Sequence, residues 1–260
     1  MLQTRNLNLQ YPGKLLCRDL NLTVNPGECW AILGQNGSGK TTLIHALSDL
    51  YPGGAASVMV AGKSLQDWPR RDLARELGVM LQEEPGEFWG NVLEYVLLGR
   101  YPHVVNPFGR EVGDRSIALQ AIDRLELTAL AQRPMATLSG GERQRARIAL
   151  LLTQSPSCYL LDEPLQHLDL RHQLLTMTLF SELALQGSAV MMVLHDLAWV
   201  SPYCDHVLML FDNGRSLAGP TEEVFSRSNL EALYQCSLEE SGLGSTRHLV
   251  HFMPAMEVGV

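Results

Sequence analysis

The stretch GQNGSGKT, residues 34–41, constrains this chain more than any other. It follows an apolar run, CWAILG (29–34), and opens a helical pattern from about Lys40 to Leu50 that YPGG stops. A G-x-x-x-x-G-K-[ST] turn between a strand and a helix is a phosphate cradle. The glycines keep side chains out of the turn, so backbone N–H groups can close around phosphate oxygens at the positive end of a helix dipole. Lys40 adds a point charge at the β and γ positions, and the Thr41 hydroxyl can ligate Mg²⁺. The phosphate-binding set is therefore Gly34, Asn36, Gly37, Ser38, Gly39, Lys40, Thr41 and Thr42.

Similar apolar runs recur as GVMLQ (78–82), CYLLDE (158–163) and AVMMVLH (189–195). Runs this short and this apolar predict strands buried on both faces, in a parallel sheet covered by helices. HVLMLFDNGRSLAG contains Asn213-Gly214 between strand-like segments and predicts a hairpin. The first 28 residues alternate polar and apolar between YPGK and NPGE turns, which predicts a small antiparallel sheet. Residues from about 84 to 155 read as helices, including ALQAIDRLELTALA, inserted into the α/β core. The expected fold is α/β: a P-loop NTPase core of RecA-like type, an N-terminal antiparallel β subdomain and an inserted α-helical subdomain. One domain is expected over 1–225, with 226–260 as a tail packing on it or extending it. Ser228 and Glu231 form a capping-box pattern within that tail.

Two further strand ends carry chemistry. CYLLDEP places Asp162, suited to holding Mg²⁺ and its waters, directly before Glu163, placed to polarise an attacking water. His195 ends AVMMVLH, where a γ-phosphate contact is the expected role. LSGGERQR (138–145) poses a different problem. Ser139 and Glu142 predict a capping box, yet Gly140 and Gly141 should each cost about 1 kcal/mol inside a helix. On these residues alone, a capped helix and a second anion site remain equal alternatives.

The bulk properties exclude several classes. With 260 residues and 46% hydrophobic content the chain can bury a large core. Its formal net charge of −8 argues against nucleic acid as the main partner. Cys17, Cys29, Cys158, Cys204 and Cys236 are odd in number and contain no CxxC pair, which fits reduced cytosolic thiols. MLQTRNLNLQ lacks the features of a signal peptide, and no run of about 18 apolar residues is present to span a bilayer.

Taken in order, Tyr11, the phosphate loop, Gln82 in VMLQEE, LSGGERQR, LLDEP, LDLRHQ with Asp169, and VLHD resemble the ATP-binding subunits of ABC transporters over about residues 1–225. The resemblance implies that Tyr11 stacks on adenine and that Gln82 touches Mg²⁺ or the attacking water. It implies a head-to-tail dimer in which Ser139, Gly140 and Gly141 of one copy cover the γ-phosphate held by the other, with Asp169 at the shared boundary. ATP and Mg²⁺ are the implied cofactors, and transmembrane permease subunits and, indirectly, a substrate-binding protein the implied partners. The implied location is peripheral, on the cytoplasmic face of the inner membrane. Two departures stand out: LQHL precedes Asp169 where the family has small residues, and no proline precedes Gln82.

LLGRYPH, FGR, DLARELGVMLQ and HDLAWVSPYCDHVLML resemble the subfamily importing iron–siderophore complexes, haem or cobalamin, with cobalamin slightly favoured. The competing expectation is a cytosolic ABC ATPase without a membrane partner, such as one serving iron–sulfur assembly. His248 and His251 lack a third ligand and read as solvent-facing. Trp30, Trp68, Trp89 and Trp199 read as packing or interface residues, and Arg70-Arg71 as a solvated helix face.

Overall fold

The computed structural model describes residues 1–11, 13–51, 57–82, 88–104, 112–243 and 246–253, with side chains described up to residue 238. In chain order, β1 (Leu2–Tyr11) and β2 (Lys14–Val24) pair antiparallel and lead into β3 (Cys29–Gly34) and α1 (Lys40–Leu47). Next come β4 (Val58–Val60), β5 (Lys63–Ser64), α2 (Arg70–Glu76) and β6 (Leu77–Met80). Three helices follow: α3 (Val92–Leu97), α4 (Val112–Arg124) and α5 (Gly140–Gln154). The chain returns through β7 (Cys158–Asp162), α6 (Leu170–Leu185), β8 (Ala189–Val193), α7 (Val200–Tyr203), β9 (His206–Leu210) and β10 (Ser216–Pro220). It closes with α8 (Thr221–Val224), α9 (Arg227–Tyr234) and the hairpin β11 (Ser237–Leu243) and β12 (Thr246–Met253).

The central sheet has the order β10-β9-β3-β8-β7-β6, parallel except for the edge strand β10. A four-stranded sheet, β2-β1-β4-β5, faces it. Strand alternation divides the core into two. Cys29, Ala31 and Leu33 of β3 join the core built with α5 and α6, whereas Trp30 and Ile32 join the one built with β1, β2 and α1. The same alternation runs through β7, where Tyr159 and Leu161 take one side and Cys158 and Leu160 the other. A sheet covered on both faces explains why these strands are continuously apolar.

Several expectations need correction. α1 ends at Leu47, three residues short of Leu50, and β6 ends at Met80, so Gln82 follows the strand. The hairpin expected around Asn213-Gly214 is present, β9 pairing antiparallel with β10 across a loop closed by Phe211 and Arg215, with Gly214 at φ 77. The tail helix is capped by Ser226, whose Oγ accepts from the Asn229 N–H; Glu231 instead accepts from Arg227 Nε and the Leu238 N–H, at 2.9 Å each. Arg70 pairs with Asp49 at 2.9 Å and Arg71 Nε donates to the Pro102 carbonyl at 3.1 Å, so this pair is more than a solvated face. Trp30 stacks on His206 with ring centroids 4.5 Å apart, and Trp199 packs on Tyr203, while Trp89 is 86% exposed. FGR (108–110) lies outside the described residues, and His248 and His251 lie where side chains are not described.

Candidate active site

The phosphate loop joins β3 to α1 as a turn that only glycine fits at two points. Gly37 and Gly39 sit at φ 78 and φ 101, and a Cβ on Gly39 would come within 2.9 Å of Leu16 Cβ. Gly39 is the N-cap of α1 and supplies no side-chain cap, so the first N–H groups of that helix face the loop without an oxygen from the capping residue. Gly34 is needed for a different reason: a Cβ there would meet Ser38 Oγ at 2.4 Å and the Leu210 carbonyl at 2.7 Å. Lys40 folds back, its Nζ donating to the carbonyls of Gly34 at 2.9 Å and Gln35 at 3.0 Å. Burial pulls its pKa down, against the nearby charges of Glu163, Asp162 and Asp212.

A cleft of about 560 Å³ opens above this loop. Tyr11, 61% exposed, lines it together with Asn36, Gly37, Gly39, Lys40, Thr41 and Thr42. Gln82, Glu163 and His195 reach the same cleft from the ends of three neighbouring strands. Asp162, the last residue of β7, is 1% exposed, and among the described residues no donor reaches full hydrogen-bond geometry to either carboxylate oxygen, although the Thr41 hydroxyl lies beside them. Burial pushes its carboxyl up, while the adjacent Thr41 hydroxyl, His45 and Lys40 favour the ionised form. An orphaned carboxylate beside a threonine hydroxyl fits a hard divalent cation such as Mg²⁺.

Glu163 occupies the left-handed region at φ 53, a conformation that costs a non-glycine residue and clusters at functional sites. That turn brings its Oε1 to 2.6 Å from His195 Nε2. On the other side of Gln82, Arg147 of α5 donates to the carbonyls of Leu81 and Gln82, tying the helical region to the cleft's edge. Lys14 was not anticipated from the sequence. It lines the cleft, its Nζ donating to the Gly37 carbonyl and pairing with Asp212 at 3.0 Å each. A lysine after a turn carries no distinguishing spacing, and its Asp212 partner lies at the other end of the chain.

Ser139, Gly140, Gly141 and Asp169 do not line this cleft. Ser139 and Glu142 form the reciprocal capping box: Ser139 Oγ accepts from the Glu142 N–H at 3.3 Å, and Glu142 Oε2 accepts from the Ser139 N–H at 2.8 Å. Gly141 has an explanation within the chain, since a Cβ there would lie 2.8 Å from the His167 carbonyl. His167 itself is left-handed at φ 64. Asp169 is the N-cap of α6 and accepts from the N–H and Nδ1 of His172, at 2.9 and 2.8 Å.

The comparisons with known proteins agree with this geometry. The family described as ABC transporter matches residues 17–166. The hemin import ATP-binding protein HmuV of Gloeobacter violaceus is 37% identical over 238 residues, covering 89% of this chain and 86% of that one. The iron(3+)-hydroxamate import ATP-binding protein FhuC of Bacillus subtilis is 32% identical over 240 residues, covering 92% and 89%. Among solved structures, an inward-facing ABC transporter of metal-chelate type aligns with a TM-score of 0.81 at 30% identity, covering 98% of each chain. Matches of this extent, on a chain whose strand ends converge above a phosphate loop, establish that this protein belongs to the ATP-binding subunits of ABC transporters and is an ATPase.

Proposed function

We propose that this chain powers import of a metal-chelate or corrinoid nutrient, hemin, an iron–siderophore or cobalamin, through a separate membrane permease. The observation that carries the hydrolytic half is the 2.6 Å contact between Glu163 and His195 in the cleft that Lys40 enters. With Oε1 engaged by His195, Glu163 Oε2 is left to accept a hydrogen bond from the attacking water and polarise it toward the γ-phosphate. His195 fixes the carboxylate and can reach the γ-phosphate once nucleotide is bound. Lys40 exchanges the Gly34 and Gln35 carbonyls for β- and γ-phosphate oxygens, and the backbone of Gly34, Asn36, Gly37, Ser38 and Gly39 closes around them with Thr42 alongside. Tyr11 stacks on adenine at the cleft mouth. Thr41, Asp162 and Gln82 would hold Mg²⁺, which neutralises charge on the β- and γ-phosphates when bound.

Ser139, Gly140, Gly141 and Asp169 serve the cleft of a second copy. Their absence from their own cleft supports this reading, because a glycine-rich helix start outside the chain's own site remains available to a partner's phosphate. We place the ATPase domain at residues 1–225, with the helices between about 84 and 155 as its inserted subdomain and 226–260 as a tail upon it. Among the described residues no helix is long and apolar enough to cross a membrane, and this reading assigns the span to a separate permease. The subunit then works peripherally at the cytoplasmic face of the inner membrane, with a substrate-binding protein acting through the permease and no nucleic acid involved. The cargo class rests on the named relatives, which import hemin and iron(3+)-hydroxamate; cobalamin rests on the resemblance of the sequence alone.

The test is ATP turnover of the subunit reconstituted with candidate permeases, adding loaded binding proteins one at a time. Stimulation by one loaded protein establishes import and identifies the cargo. Turnover indifferent to every permease points instead to a cytosolic ABC ATPase.

A further inference from the structure

We propose that the C-terminal helix α9 is a latch on the phosphate loop, and that Gln35 is the positioning residue coupling tail docking to nucleotide binding. The proposal rests on the ATPase reading of the cleft. Gln35 is part of the loop but does not line the cleft; its Nε2 donates to the Leu233 carbonyl at 2.9 Å, across 198 residues of sequence. Leu233 lies in the last turn of α9, where helix carbonyls have no intrahelical partner, so the loop supplies the missing donor. The next residue, Tyr234, lies against the backbone of Gly34, which opposes the upward push that burial gives its hydroxyl. Two successive residues of the loop thus meet two successive residues of the helix.

The helix is seated firmly enough to act as an anchor. Leu230 and Leu233 are each 2% exposed and belong to the core that also holds α5 and α6. Gln235 turns the chain at φ 53, after which Leu238 is also buried and its N–H donates to Glu231 Oε1 at 2.9 Å. β12 then runs beside the short turn at Leu197–Trp199, two residues beyond His195. One tail therefore touches both the phosphate loop and the segment that carries His195.

The role follows from what Lys40 does. Its ammonium holds the carbonyls of Gly34 and Gln35 and must release both when phosphate arrives. At that moment the contacts to α9 keep the Gly34–Gln35 peptide in place, so the loop stays shaped as a cradle. Coupling of this kind is reciprocal: nucleotide in the cleft tightens α9, and a docked α9 favours nucleotide.

The decisive variant is full-length Gln35→Met, which keeps the length of the side chain and removes its donor. One lost neutral hydrogen bond predicts a KM for ATP raised about 3- to 10-fold, with kcat changed by less than about twofold because the reacting groups are untouched. Amide hydrogen exchange over 227–238 gives a second readout. In the wild type a non-hydrolysable ATP analogue slows exchange there; in Gln35→Met it does not. An unchanged KM, a fall in kcat alone, or wild-type exchange over 227–238 that ignores nucleotide overturns the latch. If Gln35→Met does not fold, the wild-type exchange measurement decides. A wild-type protein that neither binds nor hydrolyses ATP removes the ATPase reading and the latch together, whereas normal turnover with an indifferent tail removes only the latch.

Discussion

The helices α1 and α5 both start at glycine-rich turns, and they meet the needs of their first N–H groups in opposite ways. α1 is preceded by Gly39 in the left-handed region, and no side chain caps it. α5 is preceded by Ser139, whose capping box with Glu142 satisfies the start from within the chain. A start without a cap is incomplete until a ligand arrives; one with a cap is stable before any partner is present. On the function proposed above, the difference separates a site that binds from one that waits to be presented to another surface. Glycine also has different reasons in the two turns. At Gly39 the backbone angle demands it, whereas at Gly141 the close approach of the His167 carbonyl does.

This contrast can be broken by experiment. The largest effect belongs to the α1 side: Glu163→Gln should lower ATP turnover about 10²- to 10⁴-fold while nucleotide affinity, read by equilibrium titration, stays intact. His195→Ala should act in the same direction but less, at least about tenfold, the scale of one hydrogen bond to a charged group. Equal losses for the two would mean that His195 does more than hold Glu163. Gly39→Ala forces alanine to φ 101 and against Leu16, which should cost about 1–3 kcal/mol of stability and weaken nucleotide binding together.

The α5 side should respond more mildly. Ser139→Ala should cost about 1 kcal/mol in denaturant unfolding, with any loss of turnover appearing only where two copies meet. Weakened nucleotide binding by a single isolated chain would contradict the separation drawn here. The smallest effect is a pH dependence. Hydrogen bonds from the backbone and side chain of Ser139 hold the Glu142 carboxyl below its ordinary value of 4.5. A depressed folded pKa contributes stability that is full above the ordinary value and is lost as pH falls through the lowered one. The Tm difference between wild type and Glu142→Gln should therefore be present at neutral pH and shrink as the solution is acidified below about 4.5. A difference that grows in acid would show that the capping carboxylate is not what matters.

Much of this was legible in the sequence because it depended on local pattern. The phosphate loop declared itself through the positions of its glycines, and β3, β7 and β8 through short apolar runs that only a doubly covered sheet accepts. Ser139 and Glu142 announced their capping box by spacing. What could not be read was set by distant contacts or by competition between equivalent signals. Ser226 and Ser228 both suit an N-cap, and packing of Leu230 and Leu233 accompanies the earlier choice. The left-handed turn at Glu163, which aims its carboxylate at His195, has no signature in a residue that rarely adopts it. Lys14 and Gln35 owe their places to Asp212 and Leu233, and no window along the chain contains both members of either pair.

The strand order has a consequence for how the protein is made. β3, which delivers the phosphate loop, is paired on both sides by strands from late in the chain, β8 and β9. Parallel partners cannot meet until the long crossover between them has been synthesised and closed, and pairings this distant form slowly. The loop thus leaves the ribosome early, and the strand that carries it stays unpaired until the region beyond residue 189 emerges. Nucleotide binding should be among the last properties a nascent or refolding chain acquires, which makes ATP a reporter of completed assembly.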